Sequence, residues 1–442
     1  MTTWIASQAA PLRGTIDIPG DKSISHRAIM LAGIADGVSR IEGFLEGEDT
    51  RATAAIFQQL GVRIDTLQEG VRIVHGVGID GLTASATPLE CGNAGTAMRL
   101  LTGLLAGQCF DSTLVGDDSL SKRPMRRVTE PLRRMGARID TADGGMPPLH
   151  LHAGNPLHGI EHVSEVASAQ VKSAILLAGL YADGETLVRE QPTRDYTERM
   201  LSAFGYPVEF APGRARLTGG HRLRATDVVV PADFSSAAFF IVAASIVPGS
   251  ELRLRQVGLN PRRTGLLHVL RAMGADIVEE QRSEQGGEPV ADLLVRHAPL
   301  RGIEVAVEHV ADMIDEFPAL FVAAACADGA TTIRGAAELR VKESDRIAAM
   351  AEGLRTLGVR VDEMPDGATI HGGSSVGGAM QGSVIDSHGD HRVAMAFAVA
   401  VAAQLADGDT RIKNVANVAT SFPGFEAIAN AAGMALRRVR LS

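Results

Sequence analysis

Cysteine, lysine, basic excess and long apolar runs are scarce in this chain, and each shortage removes a class of protein. The three cysteines, Cys91, Cys109 and Cys326, are odd in number and show no CxxC spacing, so neither a disulfide framework nor a zinc ribbon is indicated and a reducing cytoplasm is the expected compartment. The longest apolar stretches, "SSAAFFIVAASIVPG" and "RVAMAFAVAVAAQLADG", fall short of the roughly 18 to 20 residues of a membrane span and read as buried helices. The opening "MTTWIASQAAPLRGTIDIPG" has no basic segment followed by an apolar one, so no secretion signal and no membrane partner are expected. A net charge of -9 argues against a nucleic-acid surface, which shows clustered basic excess. Lysine occurs only at 22, 122, 172, 342 and 413, so where it falls carries information.

What the chain does have is length and repetition. Its 442 residues, 45% hydrophobic and 21% charged, suffice for two or more domains with their own cores. Six times an apolar stretch of small residues ends in a glycine turn: "LAGIADG" at 31, "LTGLLAG" at 101, "LAGLYADG" at 177, "VAASIVPG" at 242, "VAAACADG" at 322 and "VAAQLADG" at 401. The period, roughly 65 to 80 residues, is that of a small α/β unit rather than a solenoid repeat. A short alternating stretch follows each turn, such as "TLVRE" or "TTIRG", and then a second helix closing on glycine: "AAIFQQLG", "VTEPLRRMG", "ERMLSAFG", "LLHVLRAMG", "MAEGLRTLG" and "FEAIANAAG". Glycine there supplies the positive φ of a helix C-terminus. The unit is helix, strand, helix, strand, with an extra strand leading in; six copies predict two domains of three.

The apolar helices must lie inside their domains, and their leading N–H groups and positive dipole ends form ready anion sites. The six openings, "GDKSISHR", "ECGNAGTAMR", "ASAQVKS", "PADFSS", "MIDEFP" and "SHGDHR", are crowded with polar residues. Capping explains Ser, Asp and Asn, but Lys22, Arg27, Arg99, Lys172 and Arg392 oppose the dipole and point to a polyanionic ligand. "RVKESDRI" at 340–347 packs five charges into seven positions; on a helix Lys342 and Arg346 would share a face, at a small cost that an anion between them removes.

These strings, in this order, carry a resemblance. "GDKSISHR", "GNAGTAMR", "SKRPMRRVTEPLRRMGA", "SAQVKSAILLAGL", "RVKESDRI" and "GDHRVAMAF", with "TSFPGF" near 420, resemble the successive signatures of the 5-enolpyruvylshikimate-3-phosphate synthase family of enolpyruvyl transferases over essentially the whole chain. The resemblance implies an α/β fold of two similar domains, each of three βαβαββ units about a pseudo-threefold axis (an inside-out α/β barrel), with substrates at the interdomain cleft. It places 1–19 and 243–442 in one domain and 20–242 in the other. It implies a cytoplasmic monomer of the shikimate pathway, without cofactor or metal, that moves the enolpyruvyl group of phosphoenolpyruvate onto the 5-hydroxyl of shikimate 3-phosphate and is a target of the herbicide glyphosate. By the same resemblance Lys22 lies between both substrates; Ser23, Arg27, Ser168, Ala169 and Gln170 contact shikimate 3-phosphate; Arg123, Arg346 and Arg392 grip phosphoenolpyruvate, and Gly95, beside Asn93, approaches its phosphate. Asp315 is the expected acceptor of the hydroxyl proton, with Asp312 and Glu316 as neighbours that leave the assignment open, and Glu343, flanked by Lys342, is linked to protonation of the methylene. Arg194, Thr193 and Tyr196 align loosely.

His388 and His391 form an HxxH, but metal sites want more ligands; "PGDKS" has Asp21 where a P-loop needs glycine. Lys172 reads as a helix-face residue near the site, and Cys91 and Cys326 as small buried side chains. The chain departs from the family pattern at Thr420, where many members carry a lysine that Lys413 would have to replace, and at Glu338, where some carry asparagine. The sister transferase acting on UDP-N-acetylglucosamine favours Lys-Asn where Lys22-Ser23 stands and a cysteine before its "RPV", absent from "GDDSLSKRPM". A silent anion-binding protein on the same fold is opposed by the paired carboxylates Asp315 and Glu343.

Overall fold

In the computed structural model, which describes residues 2–373, 382–405 and 408–440, the chain divides into two compact units. The central unit is Gly20–Val230 with Glu284–Glu288, and the flanking unit is Met1–Pro19, Pro231–Ser283 and Pro289–Ser442. The chain thus leaves the central unit at 230, not at 242 as expected. The reason is local. Strand Val228–Val229 pairs with Asp36–Glu42 in the central unit, whereas Ala232 already donates to the Gln256 carbonyl of the flanking unit (2.9 Å). The apolar run that follows is one helix with every residue buried, so no boundary can fall inside it.

The central unit contains helices α1 (Lys22–Gly33), α2 (Glu48–Gln59), α3 (Gly95–Ala106), α4 (Arg126–Arg134), α5 (Ala169–Gly179) and α6 (Tyr196–Ala203). The flanking unit contains α7 (Phe234–Ile246), α8 (Gly265–Ala272), α9 (Phe317–Cys326), α10 (Arg346–Thr356), α11 (His391–Ala402) and α12 (Phe425–Ala432). The odd-numbered helices are the apolar ones of the repeat and are buried on nearly all sides. The even-numbered ones bury one face only, and each is followed by the expected glycine, Gly61, Gly136, Gly205, Gly274, Gly358 or Gly433, all at positive φ. Ala406 and Asp407, in the turn of the sixth repeat, lie outside the described residues.

Six small sheets repeat one topology, a lead-in strand parallel to the strand after the inner helix, then two antiparallel neighbours. In the central unit the orders are Val228–Val229, Asp36–Glu42, Val71–Val77, Arg63–Gln68; Leu89–Glu90, Ser112–Val115, Met146–Leu151, Ile139–Ala142; and Glu161–Val163, Glu185–Arg189, Arg214–Thr218, Val208–Ala211. The flanking unit follows suit, with two adjustments. The lead-in to Gly329–Ile333 shrinks to two isolated parallel bridges, Arg301 with Asp328 and Glu304 with Thr332. The last sheet borrows the N-terminal strand Thr2–Ser7, which lies antiparallel between Thr410–Lys413 and Ala435–Arg440. Each unit therefore carries three copies of one motif with helices inside and sheets outside, around its own apolar core.

Close helix approach within the central core depends on a missing side chain. A Cβ at Gly103 of α3 would overlap the Ala174 carbonyl oxygen on α5, a backbone atom that cannot swing away. Gly103→Ala is expected to lower stability by about 1–3 kcal/mol through overpacking, measured by urea unfolding of the whole chain.

Candidate active site

Within the central unit, the leading turns of the inner helices share polar contacts. Gln170, in the first turn of α5, accepts from Arg99 Nη1 of α3 (2.7 Å) and donates to Thr96 Oγ1 (2.8 Å). Arg27 of α1 donates from Nη2 to Ser173 Oγ of α5 (2.9 Å), from Nε to Thr197 Oγ1 of α6 (2.7 Å) and from Nη1 to the Ser23 carbonyl (2.9 Å). Burial pulls its pKa down to about 10, against the pull of Glu198, so it stays charged near neutrality. Lys22 pairs with Asp49 of α2. Asn93 accepts from Arg123 Nη2 (2.8 Å) and donates to Asp117 (2.7 Å), whose other oxygen accepts from the Leu120 N–H (2.8 Å). This chain of bonds holds the loop that presents Arg123 beside Gly95. A Cβ on Gly95 would stand 3.0 Å from Arg99 Nη1 and 3.4 Å from Arg123 Nη1, which places two guanidiniums at this helix terminus.

In the flanking unit a second cluster forms around Arg346, whose side chain is only 1% exposed. Its Nε donates to Asp390 Oδ2 (2.8 Å), its Nη2 meets Glu343 Oε2 (2.5 Å) and its Nη1 lies 3.5 Å from Asp315 Oδ1. Arg392 donates to the Asp315 carbonyl (3.2 Å) and stands 4.0 Å from its carboxylate. Lys342 is 3.7 Å from Glu338; burial lowers its pKa, against the pull of Asp315 and Glu338. Asp312 pairs with Arg262 (3.3 Å), while buried Glu316 accepts from Ser235 and burial pushes its carboxyl up. Of the three neighbouring acids, Asp315 is thus the one set between Arg346 and Arg392.

Two sequence expectations need correcting. Lys342 and Arg346 do not share a helix face. Ala337–Val341 forms a 3₁₀ turn that ends at Lys342, Asp345 caps α10 through the Ala348 N–H (3.0 Å), and Arg346 is the first helical residue. The helix termini are also less open to anions than their cations suggested. Asp21, Asp233 and Asp390 cap α1, α7 and α11 with their own carboxylates, and Ser168 caps α5. By contrast, the α3 terminus, at Ala94 and Gly95, has no side-chain cap. Nor does Lys172 need a ligand, since Glu198 (2.8 Å) and Glu190 (3.2 Å) neutralise it.

Asp49, Glu190, Glu198 and Asp390 are site-forming residues to which sequence reasoning gave no role. Asp390 lies in "GDHRVAMAF" and Glu198 in "ERMLSAFG", but the pairs that Asp49, Glu190 and Glu198 make span 18 to 27 positions of sequence, where no local pattern operates. Of the remaining candidates, Ala169 opens α5, and Arg194 lies close enough to Arg27 to lower its pKa. Thr420 donates to the Asn417 carbonyl, and Lys413 lies near enough to Asp386 to lower that carboxyl's pKa. His388 faces Glu352 (3.4 Å).

Two units of threefold-repeated α/β motifs, each with cations gathered at inner-helix termini, define the enolpyruvyl transferase fold. The structure of the enolpyruvyl transferase NikO from Streptomyces tendae superposes with a TM-score of 0.81 over 100% of this chain and 99% of that one at 17% identity, a likeness of fold. The EPSP synthase of Acinetobacter baumannii superposes with a TM-score of 0.89 at 48% identity over 99% of this chain and 100% of that one. The family model of EPSP synthase (3-phosphoshikimate 1-carboxyvinyltransferase) matches residues 6–428. The 3-phosphoshikimate 1-carboxyvinyltransferase of Xanthomonas euvesicatoria pv. vesicatoria (strain 85-10) is 70% identical over 434 residues, 98% of this chain and 97% of the relative. The chain belongs to the EPSP synthase family, and it is an enzyme, a transferase of the shikimate pathway.

The Lys172 cluster shows how the central site is held. Glu190, with its side chain wholly buried, accepts from the Ser168 N–H (3.1 Å), from Thr193 and from Lys172. It thereby fixes the start of α5, where Ser168, Ala169 and Gln170 stand. Burial alone would lower the Lys172 pKa, but the two carboxylates outweigh it and keep the ammonium charged; burial raises Glu198. Lys172→Met leaves two carboxylates buried without their cation and is expected to cost about 3–5 kcal/mol of stability, read by urea unfolding.

Proposed function

We propose that the two clusters divide the work of transferring the enolpyruvyl group of phosphoenolpyruvate to the 5-hydroxyl of shikimate 3-phosphate. Lys22 stands between both substrates as a catalytic cation, and Ser23, Arg27, Ser168, Ala169, Gln170 and Arg194 serve shikimate 3-phosphate. Gly95, with Asn93 behind Arg123, and Lys342, Arg346 and Arg392 serve phosphoenolpyruvate. Each charge-assisted hydrogen bond contributes about 1.5–3 kcal/mol. The uncapped α3 terminus with Arg99 and Arg123 alongside supports a phosphate seat at Gly95.

The observation that carries the chemistry is the single buried guanidinium of Arg346 shared by Glu343 and Asp315. Enolpyruvyl transfer needs a proton delivered to the methylene carbon of phosphoenolpyruvate and one removed from the attacking hydroxyl. The hydroxyl oxygen adds to the adjacent carbon, giving a tetrahedral ketal phosphate; loss of inorganic phosphate and of a methyl proton restores the enol ether. Glu343 is the acid. In the structure it is paired to Arg346 Nη2, the guanidinium that a phosphoenolpyruvate anion also engages. Asp315, set between Arg346 and Arg392, is the base. Asp390 stays on Arg346 Nε and fixes the guanidinium plane.

The alternative acceptor, UDP-N-acetylglucosamine, is disfavoured by the family match. We infer further a cytoplasmic monomer without nucleic-acid partner or required metal. The charge of -9 supports the second point, and no helix among the described residues is long and apolar enough to cross a membrane.

Phosphate release from phosphoenolpyruvate is expected with shikimate 3-phosphate and not with the nucleotide sugar; the reverse would sink the assignment. Glu343→Gln is expected to lower kcat by about 10²–10⁴ while shikimate 3-phosphate binding, measured by calorimetry, stays within about threefold; equal losses would make Glu343 positional only. Glyphosate is expected to inhibit competitively with phosphoenolpyruvate, and inhibition unmoved by raising that substrate would contradict the site.

A further inference from the structure

We propose that the solvent face of the second central sheet carries a divalent-metal site, of zinc type, built from Asp111, His150 and His152. Among the described residues these three form the one group of three or more His, Cys, Asp or Glu side chains placed to hold an ion, each with a ligand atom within 4.8 Å of the other two. The sheet register makes the grouping. Ser112–Val115 runs antiparallel to Met146–Leu151, with Thr113 opposite His150, and Ile139–Ala142 puts Asp140 opposite His150 on the other side. Side chains alternate along a strand, so Leu114, Leu149, Leu151 and Ile139 enter the core. Thr113, His150 and Asp140 face outward with His152 and Asp111, the next positions of the same parity.

Each candidate ligand also has its second atom engaged, as metal ligands do. His150 Nδ1 bonds Thr113 Oγ1 (2.8 Å), leaving Nε2 as the ligand. His152 Nε2 bonds Asp140 Oδ2 (2.7 Å), leaving Nδ1, the carboxylate–imidazole pairing that fixes a tautomer and raises ligand basicity. Asp111 Oδ1 accepts from the Ala153 N–H (2.7 Å), leaving Oδ2. The two imidazoles pack edge to face with centroids 4.6 Å apart. Two nitrogens and one carboxylate oxygen, with water as fourth ligand, suit zinc rather than magnesium or calcium. Bonds of about 2.0–2.1 Å require each ligand atom to move inward by less than about 1 Å, within reach of small χ adjustments. Asp111 and Asp140 bring two negative charges to the dication, and Arg138, which lies near enough to act on Asp140, offsets one. The site lies just beyond the C-terminal end of α3, whereas Gly95 and Arg99 stand at its N-terminal end, so the metal serves to tie the Asp111 turn to the strand end at His152 and takes no part in the transfer.

The test is calorimetric titration of Zn²⁺ into the EDTA-treated full chain, with Co²⁺ absorption as a second readout of ligand type. One equivalent is expected to bind, with the visible bands of a four-coordinate nitrogen–oxygen site. His150→Gln and His152→Gln are each expected to weaken it at least about tenfold, and Asp140→Asn by about 10–100-fold, with turnover unchanged in all three. Zinc binding of the same strength in the double variant His150→Gln/His152→Gln, or no binding to the parent chain, would overturn the proposal. Should either histidine variant fail to fold, the exposed Asp111→Asn, with the same expected loss, decides the matter.

Discussion

Everything at the candidate site depends on one constraint: an α-helix wrapped in apolar side chains has no water to satisfy the unpaired N–H groups of its first turn. Each unit packs three such helices together, and in each unit their first turns share polar contacts. In the central unit Arg99 and Thr96 of α3 meet Gln170 of α5, and Arg27 of α1 meets Ser173. In the flanking unit Ser235 of α7 meets Glu316 at the head of α9, and Arg392 of α11 meets the Asp315 carbonyl just before it. Polarity is thus concentrated at one end of each core because it cannot be accommodated along the helices. A binding site is the natural use of that end.

The same constraint settles which charges stand where. Aspartates at three of the six N-caps satisfy backbone donors and then require counter-charge, since a carboxylate buried without a partner is costly. Arg263 answers Asp233 (2.9 Å) and Arg346 answers Asp390 (2.8 Å). Two cations, Arg263 and Arg346, are therefore held by caps, whereas Lys22 and Lys172 are held by carboxylates of other elements. Arg346 shows the arrangement most fully: one edge belongs permanently to Asp390, while its terminal nitrogens face Glu343 and Asp315, the groups proposed to move protons. In the proposed mechanism, binding and acid–base work are thus coupled through a single guanidinium.

Periodic and local features of this architecture were legible in the sequence, and features set by distant pairing were not. The six glycines after the outer helices have the positive φ expected of them, and the all-buried run at 234–246 is the helix its composition implies. Lys22 and Gln170 stand in the first turns of buried helices, and Asp315 just before one, as the polar openings of the repeat imply. The partners that give these residues their geometry, Asp49 for Lys22 and Glu190 and Glu198 for Lys172, come from other elements and leave no periodic trace. The break at Lys342 was readable in principle, because Asp345 followed by a helical run is an N-cap signal; the density of charge around it suggested a continuous helix instead. The crossing at 230 escaped because Val228–Val229 and the apolar helix behind it differ in fold membership but hardly in composition.

The opposite ends of the inner helices face a different requirement. There the chain must turn from a buried helix into a strand, which it does through small residues and glycine: Gly37, Gly184, Gly249, Gly329 and Gly408 adopt positive φ. No capped carboxylate and no buried cation is demanded, and the outward faces of the sheets that start there are bound only by strand alternation. A sheet face with one side in the core and the other in water accepts almost any polar side chain outward. Thr113, Asp140, His150 and His152 can therefore be aligned across three strands without disturbing Leu114, Leu149 or Leu151 beneath them. Chemistry at the helix N-termini is tied to the stability of the core; chemistry on the outer sheet faces is not, and that independence leaves the outer faces free to take on properties unrelated to the transfer reaction.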